Sequence, residues 1–199
     1  MMNWIKKSFQ LLKPWVSAVV VVIILQITGL LSGHSFLAQS AMLKTGLADA
    51  SVEEAKDLGD FNYDFKIKDL GGNRIDFSEF KNKVVFLNLW ATWCGPCRAE
   101  MPTIQKLYEK VKDDENIKFV ILSLDKDADK GKVIKYLKDK GFTFDGYMPS
   151  GYLTTQLNVP NIPTTYVVSK EGKILTKEVG TTNFNTTKFF KFLKAEASR

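Results

Sequence analysis

The stretch Trp90-Ala-Thr-Trp-Cys-Gly-Pro-Cys-Arg-Ala-Glu-Met-Pro102 decides how this chain of 199 residues is interpreted. It directly follows Val84–Leu89, a continuous apolar run of strand length that suits a central strand covered on both faces. Apolar residues then recur at helical spacing up to Asp113; they are Met101, Ile104, Leu107, Tyr108 and Val111. The pair Cys94 and Cys97 is therefore predicted to lie where a buried strand ends and a helix begins.

This placement predicts redox chemistry at the two cysteines. The first turn of a helix presents unpaired N–H groups and the positive end of the helix dipole, which lower the pKa of a thiol below about 8.5. Pro96 suits that turn because it has no N–H to leave unpaired. We expect the Cys94 thiolate to attack a partner disulfide and Cys97 to resolve the mixed disulfide. The reaction needs neither a metal nor an organic cofactor.

A bare Cys-x-x-Cys pair also occurs in zinc sites and in structural disulfides. The chain has two cysteines and one histidine, His34, which is too few for a zinc site with four ligands. Nucleic-acid binding is also not expected, although the net charge is +6. Three of the excess cations precede the apolar N-terminal run, and most others alternate with acids, as in Lys126–Lys130.

Strands and helices alternate around the cysteine pair. The expected elements are a hairpin of Tyr63–Lys68 with Arg74–Phe77, a strand at Ile117–Leu124, a helix at Lys130–Lys140, a hairpin of Thr164–Ser169 with Ile174–Val179, and a final helix carrying Phe189, Phe190, Phe192 and Leu193. This order predicts an α/β fold, specifically an α/β/α sandwich with a mixed central sheet and helices on both of its faces.

The sequence of the N-terminal part predicts a membrane anchor. Residues 15–37 are almost purely apolar and long enough to cross a bilayer once, and the basic residues 1–14 before them predict a cytoplasmic N-terminus. Residues 38–60 then form a linker, and residues 61–199 form a domain outside the cytoplasm. A cleaved signal peptide, cut near Ala38-Gln39-Ser40, is the alternative; its apolar region is usually shorter. With either an uncleaved anchor or a cleaved signal peptide, the domain is expected to be exported from the cytoplasm.

The segment Trp90–Pro102 resembles the active site of the thioredoxin superfamily, and in particular of its membrane-tethered TlpA/ResA-like branch. The resemblance extends from about Phe61 to the C-terminus and implies a thioredoxin-like fold. Ile162-Pro163-Thr164 is similar to the family loop that faces the cysteines, in which the proline is cis. By this resemblance Pro163 belongs to the catalytic site, and the substrate-binding residues are Trp93, Gly95, Pro96 and Ile162.

Several acids near the motif are candidates for proton transfer. Glu100 matches the Cys-x-x-Glu pattern of this branch and either tunes the thiols or is an ordinary solvated helix residue. Asn88 stands where thioredoxins carry a buried Asp, so any such acid must come from elsewhere. Asp125, at the end of the next strand, is the candidate; the alternatives are that it caps the following helix or faces solvent. Residues 126–152 resemble the insert of this branch, which either determines partner specificity or is plain packed structure.

The resemblance implies a monomeric enzyme that reduces disulfides of exported proteins, such as apocytochrome c, with electrons from a thiol donor in the membrane. The Gly-Pro pair between the cysteines resembles reducing thioredoxins more than their oxidising relatives. Two alternatives stay open. One is a thiol peroxidase of the peroxiredoxin type, whose reactive Cys follows a Thr two or three residues upstream; Thr92-Trp-Cys94 resembles that pattern only weakly. The other is a tethered binding or sensing module in which the disulfide is structural.

Overall fold

The computed structural model describes residues 39–43, 45–46, 48–50 and 58–199, and a mixed sheet of seven strands runs through it. The strands are β1 (Lys66–Asp69), β2 (Arg74–Asp76), β3 (Val84–Trp90), β4 (Ile117–Ser123), β5 (Gly146–Pro149), β6 (Thr164–Val168) and β7 (Ile174–Val179). Within residues 58–199 the α-helices are α1 (Gly95–Val111), α2 (Lys130–Asp139) and α3 (Thr187–Ala197). Short 3-10 helices occur at Phe77–Phe80, Asp127–Asp129 and Thr155–Leu157.

The sheet order is β2-β1-β5-β4-β3-β6-β7. Strands β3, β4 and β5 are parallel to one another, and every other neighbouring pair is antiparallel. The predicted mixed sheet and both predicted hairpins are therefore confirmed. The 126–152 insert supplies α2 and β5, which extend the parallel part of the sheet by one βαβ unit.

The three helices pack on one face of the sheet, whereas the sequence predicts helices on both faces. Their buried residues share one core cluster with Phe86 of β3 and Phe119 of β4; they include Met101, Ile104, Leu107, Val133, Leu137, Phe189 and Leu193. The crossovers β3–α1–β4 and β4–α2–β5 both step toward the same sheet edge. Because such crossovers are right-handed, α1 and α2 lie on the same side. Within the described residues, the α/β/α sandwich is corrected to an α/β fold with helices on one face.

The opposite face is covered mainly by aromatic side chains from the start of the domain. Phe61, Tyr63, Phe65 and Phe77 form a cluster of ring contacts, with Phe65 and Phe77 stacked at 4.3 Å. This packing explains why β1 begins at Lys66 instead of Tyr63. Tyr63 and Phe65 point into the cluster, and the Phe65 N–H donates to the Tyr63 carbonyl instead of to a neighbouring strand.

The central strand β3 is buried along its whole length. Val85, Leu87 and Leu89 face the aromatic cluster, and Phe86 and Trp90 face the helices. Each buried side chain of this size contributes about 1.5–3 kcal/mol, and a slip of one residue would exchange the two faces. The register of β3 is therefore fixed by packing, and with it the position of the segment that follows Trp90.

The predicted N-terminus 1–14 and anchor 15–37 lie outside the described residues. Among the residues that the structure does describe, no helix has both the length and the apolar character needed to cross a membrane. Parts of the predicted linker are described and contact the domain. The Ala50 N–H donates to the Asn183 carbonyl at 3.1 Å, and Asp60 pairs with Lys173 in an isolated antiparallel bridge.

Candidate functional site

The cysteine pair lies beyond the carboxyl end of β3, on a short loop that Asp125 holds in place. One Asp125 carboxylate oxygen accepts from the Thr92 N–H at 2.8 Å, and the other accepts from the Thr92 hydroxyl at 2.6 Å. The Ser123 hydroxyl donates to the same carboxylate at 2.6 Å. Because Asp125 lies two residues after the end of β4, these bonds fasten the loop before Cys94 to the neighbouring strand. The sequence pattern offered no signal for the Thr92–Asp125 contact.

Cys94 caps the N-terminus of α1. Its backbone is extended, and its Sγ accepts from the Cys97 N–H at 3.2 Å. Pro96 occupies the first turn, as the sequence predicts. Cys94 and Cys97 form a disulfide, so the structure represents the oxidised site. Cys94 keeps a small exposed fraction of 5% and Cys97 has none, which makes Cys94 the sulfur that a partner can reach.

The loop before β6 brings Pro163 and Ile162 to the cysteines. The Ile162–Pro163 peptide bond is cis, which is the conformation that the resemblance implies. The Ile162 carbonyl oxygen lies 3.7 Å from Cys94 Sγ. The Pro163 carbonyl accepts from the Gly180 N–H at 2.9 Å, which ties this loop to the end of β7. Residues 68 positions apart in the sequence therefore meet at the reactive sulfur.

The predicted substrate-binding residues surround Cys94. Trp93 is 70% exposed, although an indole of this size is usually largely buried. Gly95, Pro96 and Ile162 are half-buried. An exposed ring and an accessible backbone edge beside a nearly buried sulfur are suited to contact with an extended chain of another protein. The roles of these four residues in substrate binding stay predictions.

Glu100 is buried beneath the site, so the alternative of a solvated helix residue is wrong. It is 1% exposed and lies on α1, one turn after Cys97. Its Oε1 accepts from Asn88 Nδ2 at 2.8 Å, and its Oε2 accepts from the Thr182 N–H at 3.0 Å. Residues three apart on a helix lie on the same face. Glu100 is thus a buried acid on the cysteine side of the helix.

Burial raises the pKa of Glu100 to about 8, although the hydrogen bonds from Thr182 and Asn88 act in the opposite direction. Removing a carboxylate from water disfavours its charged form, and two donors compensate for this only in part. Near neutral pH the side chain therefore holds a proton that it can release at slightly higher pH. Such a group suits proton exchange with a thiol.

Asn88 links Glu100 to the sheet. Its Nδ2 also donates to Thr165 Oγ1 at 2.9 Å, and all three side chains are buried. The sequence singled out Asn88 as a replacement for an acid, but it did not reveal that Asn88 binds the acid that Glu100 supplies. Thr165 and Thr182 were missed, because neither carries a local motif. Asp125 was expected to assist Cys97, but its hydrogen bonds go to the loop before Cys94.

The arrangement supports two-electron exchange between thiols and disulfides. One sulfur is accessible, a second is buried behind it, and a buried acid with a raised pKa lies on the same helix. Among the described residues, no cluster of three or more His, Cys, Asp or Glu side chains is arranged to hold a metal ion.

The chain matches proteins of known family. Residues 56–190 match the Redoxin family. The thiol-disulfide oxidoreductase ResA of Bacillus cereus is 34% identical over 126 residues, which is 63% of this chain and 71% of that protein. ResA of Bacillus subtilis is 30% identical over 132 residues, 66% of this chain and 70% of that protein. The thioredoxin-like protein YneN of Bacillus subtilis is 28% identical over 171 residues, 86% of this chain and 92% of that protein.

Solved structures agree with the fold. A putative thiol:disulfide interchange protein DsbE from Chlorobium tepidum superposes with a TM-score of 0.57 at 26% identity, covering 74% of this chain and 99% of that chain. StoA from Bacillus subtilis superposes with a TM-score of 0.53 at 24% identity, covering 64% and 95%, and shows the shared thioredoxin-like fold alone.

Proposed function

The chain belongs to the Redoxin family and is a ResA-like thiol–disulfide oxidoreductase, and from this premise we propose that it acts as a reductant of disulfides in exported proteins. Disulfide-containing proteins are its substrates as a member of this family. The observation that carries the proposal is the cysteine pair itself, with Cys94 Sγ beside the Ile162 carbonyl and Cys97 buried behind it. The named relatives favour this reading over a peroxidase or a binding module.

The proposed reaction transfers two electrons from the enzyme to its partner. In the reduced enzyme the Cys94 thiolate attacks one sulfur of the partner disulfide, and the other partner sulfur leaves as a thiolate and takes up a proton. The Cys97 thiolate then attacks Cys94 Sγ in the mixed disulfide. The second partner thiol is released, and the Cys94–Cys97 disulfide remains. A thiol donor must supply two electrons and two protons for the next cycle.

We assign the proton of the resolving step to Glu100. Cys97 attacks only as a thiolate, so its proton needs an acceptor in a site without exposure to water. Glu100 lies one turn further along α1 and is buried with a pKa of about 8, so its ionised form, which is the minor form near neutral pH, is the form that accepts this proton. That pKa is close to the value of an ordinary thiol, about 8.5, so a proton can pass between the two groups at little cost.

The location and the partners are part of the same proposal. The apolar run at residues 15–37, preceded by lysines and no acid, supports one membrane-spanning helix with the N-terminus in the cytoplasm. The domain then lies outside the cytoplasm, where disulfides persist. Apocytochrome c and other exported disulfide proteins are the substrates we propose, with a thiol protein of the membrane as electron donor and the enzyme as a monomer.

The redox potential of the Cys94–Cys97 pair tests the direction of the reaction. The full-length protein in detergent is equilibrated with glutathione and dithiothreitol buffers, and the fraction of free thiols is measured. A potential near or below about −220 mV supports a reductant, and a potential near about −120 mV would make the protein an oxidant.

Location is tested separately, by protease treatment of intact cells or spheroplasts that express the full chain. Digestion of the domain from outside, with the N-terminus retained in the membrane fraction, is the expected result. A domain that is digested only after lysis would contradict the proposed orientation, whatever the redox potential.

A further inference from the structure

Residues 48–50 bind the loop that supports the active site. We call Ala48–Ala50 the leading segment, because it precedes the domain in the chain. The Asn183 N–H donates to the Ala48 carbonyl at 2.6 Å, and the Ala50 N–H donates to the Asn183 carbonyl at 3.1 Å. Asn183 Nδ2 also donates to Asp49 Oδ1 at 2.7 Å. Asp49 and Asn183 thus form a parallel β-bridge, and Ala50 is buried in the core under the helices.

The partner of the leading segment is adjacent to the groups that surround the cysteines. Thr182, the neighbour of Asn183, donates its N–H to Glu100 Oε2 at 3.0 Å. Gly180, two positions earlier, donates its N–H to the Pro163 carbonyl. Thr181 lies between them, with its hydroxyl 3.5 Å from the Pro96 carbonyl and 3.1 Å from Gln39 Oε1. We call residues 180–183 the support loop.

We propose that the leading segment is a positioning element of the active site, which holds the support loop so that the Thr182 N–H points at Glu100. The inference rests on the proposed role of Glu100 in proton transfer. Three hydrogen bonds to Asn183 fix the backbone on one side of Thr182, and the bond from Gly180 to Pro163 fixes it on the other. The direction of the Thr182 N–H is therefore set by contacts at both ends of the support loop.

The Thr182 bond matters because Glu100 has few partners. The groups that face its carboxyl are Asn88 from β3, with Thr165 of β6 behind it, and Thr182 from the support loop; the cysteine pair lies on its own helix. Among the described residues, no charged side chain contributes to the pKa shift of Glu100. Burial favours the protonated form, and the Thr182 N–H is one of two donors that favour the carboxylate. Loosening the support loop should therefore make Glu100 harder to ionise.

The test is a titration of the Glu100 carboxyl in the full-length protein, followed by carboxyl-carbon NMR and assigned by the loss of its signal in Glu100→Gln. Ala50→Pro removes the N–H that binds Asn183, and Asp49→Ala removes only the side-chain contact. Thr45→Ala is the control, because the Thr45 hydroxyl binds the Met42 carbonyl within the same part of the chain. We expect Ala50→Pro to raise the midpoint by up to about one pH unit, the equivalent of one weakened bond to a charged group.

A smaller rise is expected for Asp49→Ala and no change for Thr45→Ala. Circular dichroism establishes that each variant is folded, and Asp49→Ala alone decides the question if Ala50→Pro is not. An unchanged midpoint in folded variants would overturn the inference. A second measurement, the pH dependence of alkylation of the reduced cysteines, tests the proton-transfer role of Glu100 independently of the positioning role of the leading segment. If Glu100→Gln leaves that profile unchanged, the proton-transfer role fails, whereas a shifted Glu100 midpoint still supports the positioning role.

Discussion

Two buried acids flank the cysteine pair, and they differ in what surrounds them. Asp125, on the side of Cys94, accepts hydrogen bonds from the Thr92 backbone and from two hydroxyl groups. Glu100, on the side of Cys97, accepts one bond from a side-chain amide and one from a backbone N–H. Both are almost inaccessible, at 6% and 1% exposure. Burial alone therefore does not distinguish them.

The difference lies in what each acid holds in place. Asp125 ties a loop to a strand end, and its loss would leave the half-buried donors of Thr92 and the buried Ser123 hydroxyl without an acceptor. Glu100 lies deep under the helix, and its burial outweighs its two donors, so its pKa rises to about 8. Asp125 therefore braces the position of Cys94, whereas the role that we propose for Glu100 is proton exchange. Four predictions, ordered by the size of the expected effect, test the roles of the cysteines, of these two acids and of Trp93.

The largest effect is expected at the cysteines themselves. Cys94→Ser and Cys97→Ser should each reduce turnover of a model disulfide by more than about 1000-fold, because each removes a bond-forming sulfur. The two variants should differ in trapping. Only Cys97→Ser should accumulate mixed disulfides with partners, because Cys94, the sulfur that a partner can reach, still attacks. Non-reducing gels measure this; trapping by Cys94→Ser instead would reverse the assignment of the two sulfurs.

Glu100→Gln should increase stability at high pH. Below pH 4.5 the Glu100 carboxyl is protonated in the folded and in the unfolded chain, and between pH 4.5 and about 8 only the unfolded chain loses its proton. The free energy of unfolding of the unsubstituted protein should therefore fall through this range and level off above it. Relative to it, the variant should gain on the order of 3 kcal/mol between pH 5 and pH 8.

Urea unfolding of the oxidised protein at pH 5, 7 and 8.5 measures this difference. Because Gln offers one oxygen and one NH2 group in the same volume, it can accept from Thr182 and, after rotation of the Asn88 amide, donate to Asn88 Oδ1. A difference that does not change with pH would refute the proton-holding role of Glu100.

Asp125→Ala should destabilise the protein by about 2 kcal/mol, because the Thr92 N–H and the Ser123 hydroxyl are left without their acceptor. Asp127→Ala is the matched control, since it removes a nearby exposed acid that pairs with Lys68, and it should change stability by less than about 0.5 kcal/mol. Urea unfolding gives both values. A large shift of the Glu100 titration midpoint in Asp125→Ala, with little loss of stability, would contradict the separate roles of the two acids, because Asp125 would then act on the pKa of Glu100.

The smallest effect is expected away from the two buried acids, at the exposed ring of Trp93. Trp93→Ala should raise the KM for a protein disulfide by about threefold to tenfold, since an exposed aromatic anchor contributes on the order of 1 kcal/mol to binding. Ile134→Ala, on the exposed side of α2, serves as the control. Steady-state kinetics should show an unchanged KM for Ile134→Ala. An unchanged KM for Trp93→Ala as well would limit partner recognition to the backbone at Ile162.

The packing of the helices on the sheet shows what local sequence patterns predict and what they do not. The apolar runs predicted β3, β4, α1, α2 and α3 to within a few residues, because each element is recognised from its own periodicity. The face on which a helix packs is not a local property. It follows from the order of parallel strands and the handedness of their crossovers, so helices were expected on both faces of the sheet, whereas α1 and α2 lie on the same face. The bounds of β5 were not predicted from the sequence for a similar reason. Its four residues form a strand by pairing with β1 and β4, which lie far away in the chain.

The sequence by itself determined the reactive pair. Cys94 and Cys97 follow a buried strand and open a helix, and strand, motif and helix are contiguous, so local pattern and resemblance sufficed. Only the tertiary structure decided the environment of that pair. The contacts of Glu100 with Asn88 and Thr182 span 12 and 82 positions of the chain, and that of Thr92 with Asp125 spans 33. Such pairs meet only after the sheet has formed. For Glu100, burial together with the hydrogen bonds from Thr182 and Asn88 sets the pKa of the carboxyl.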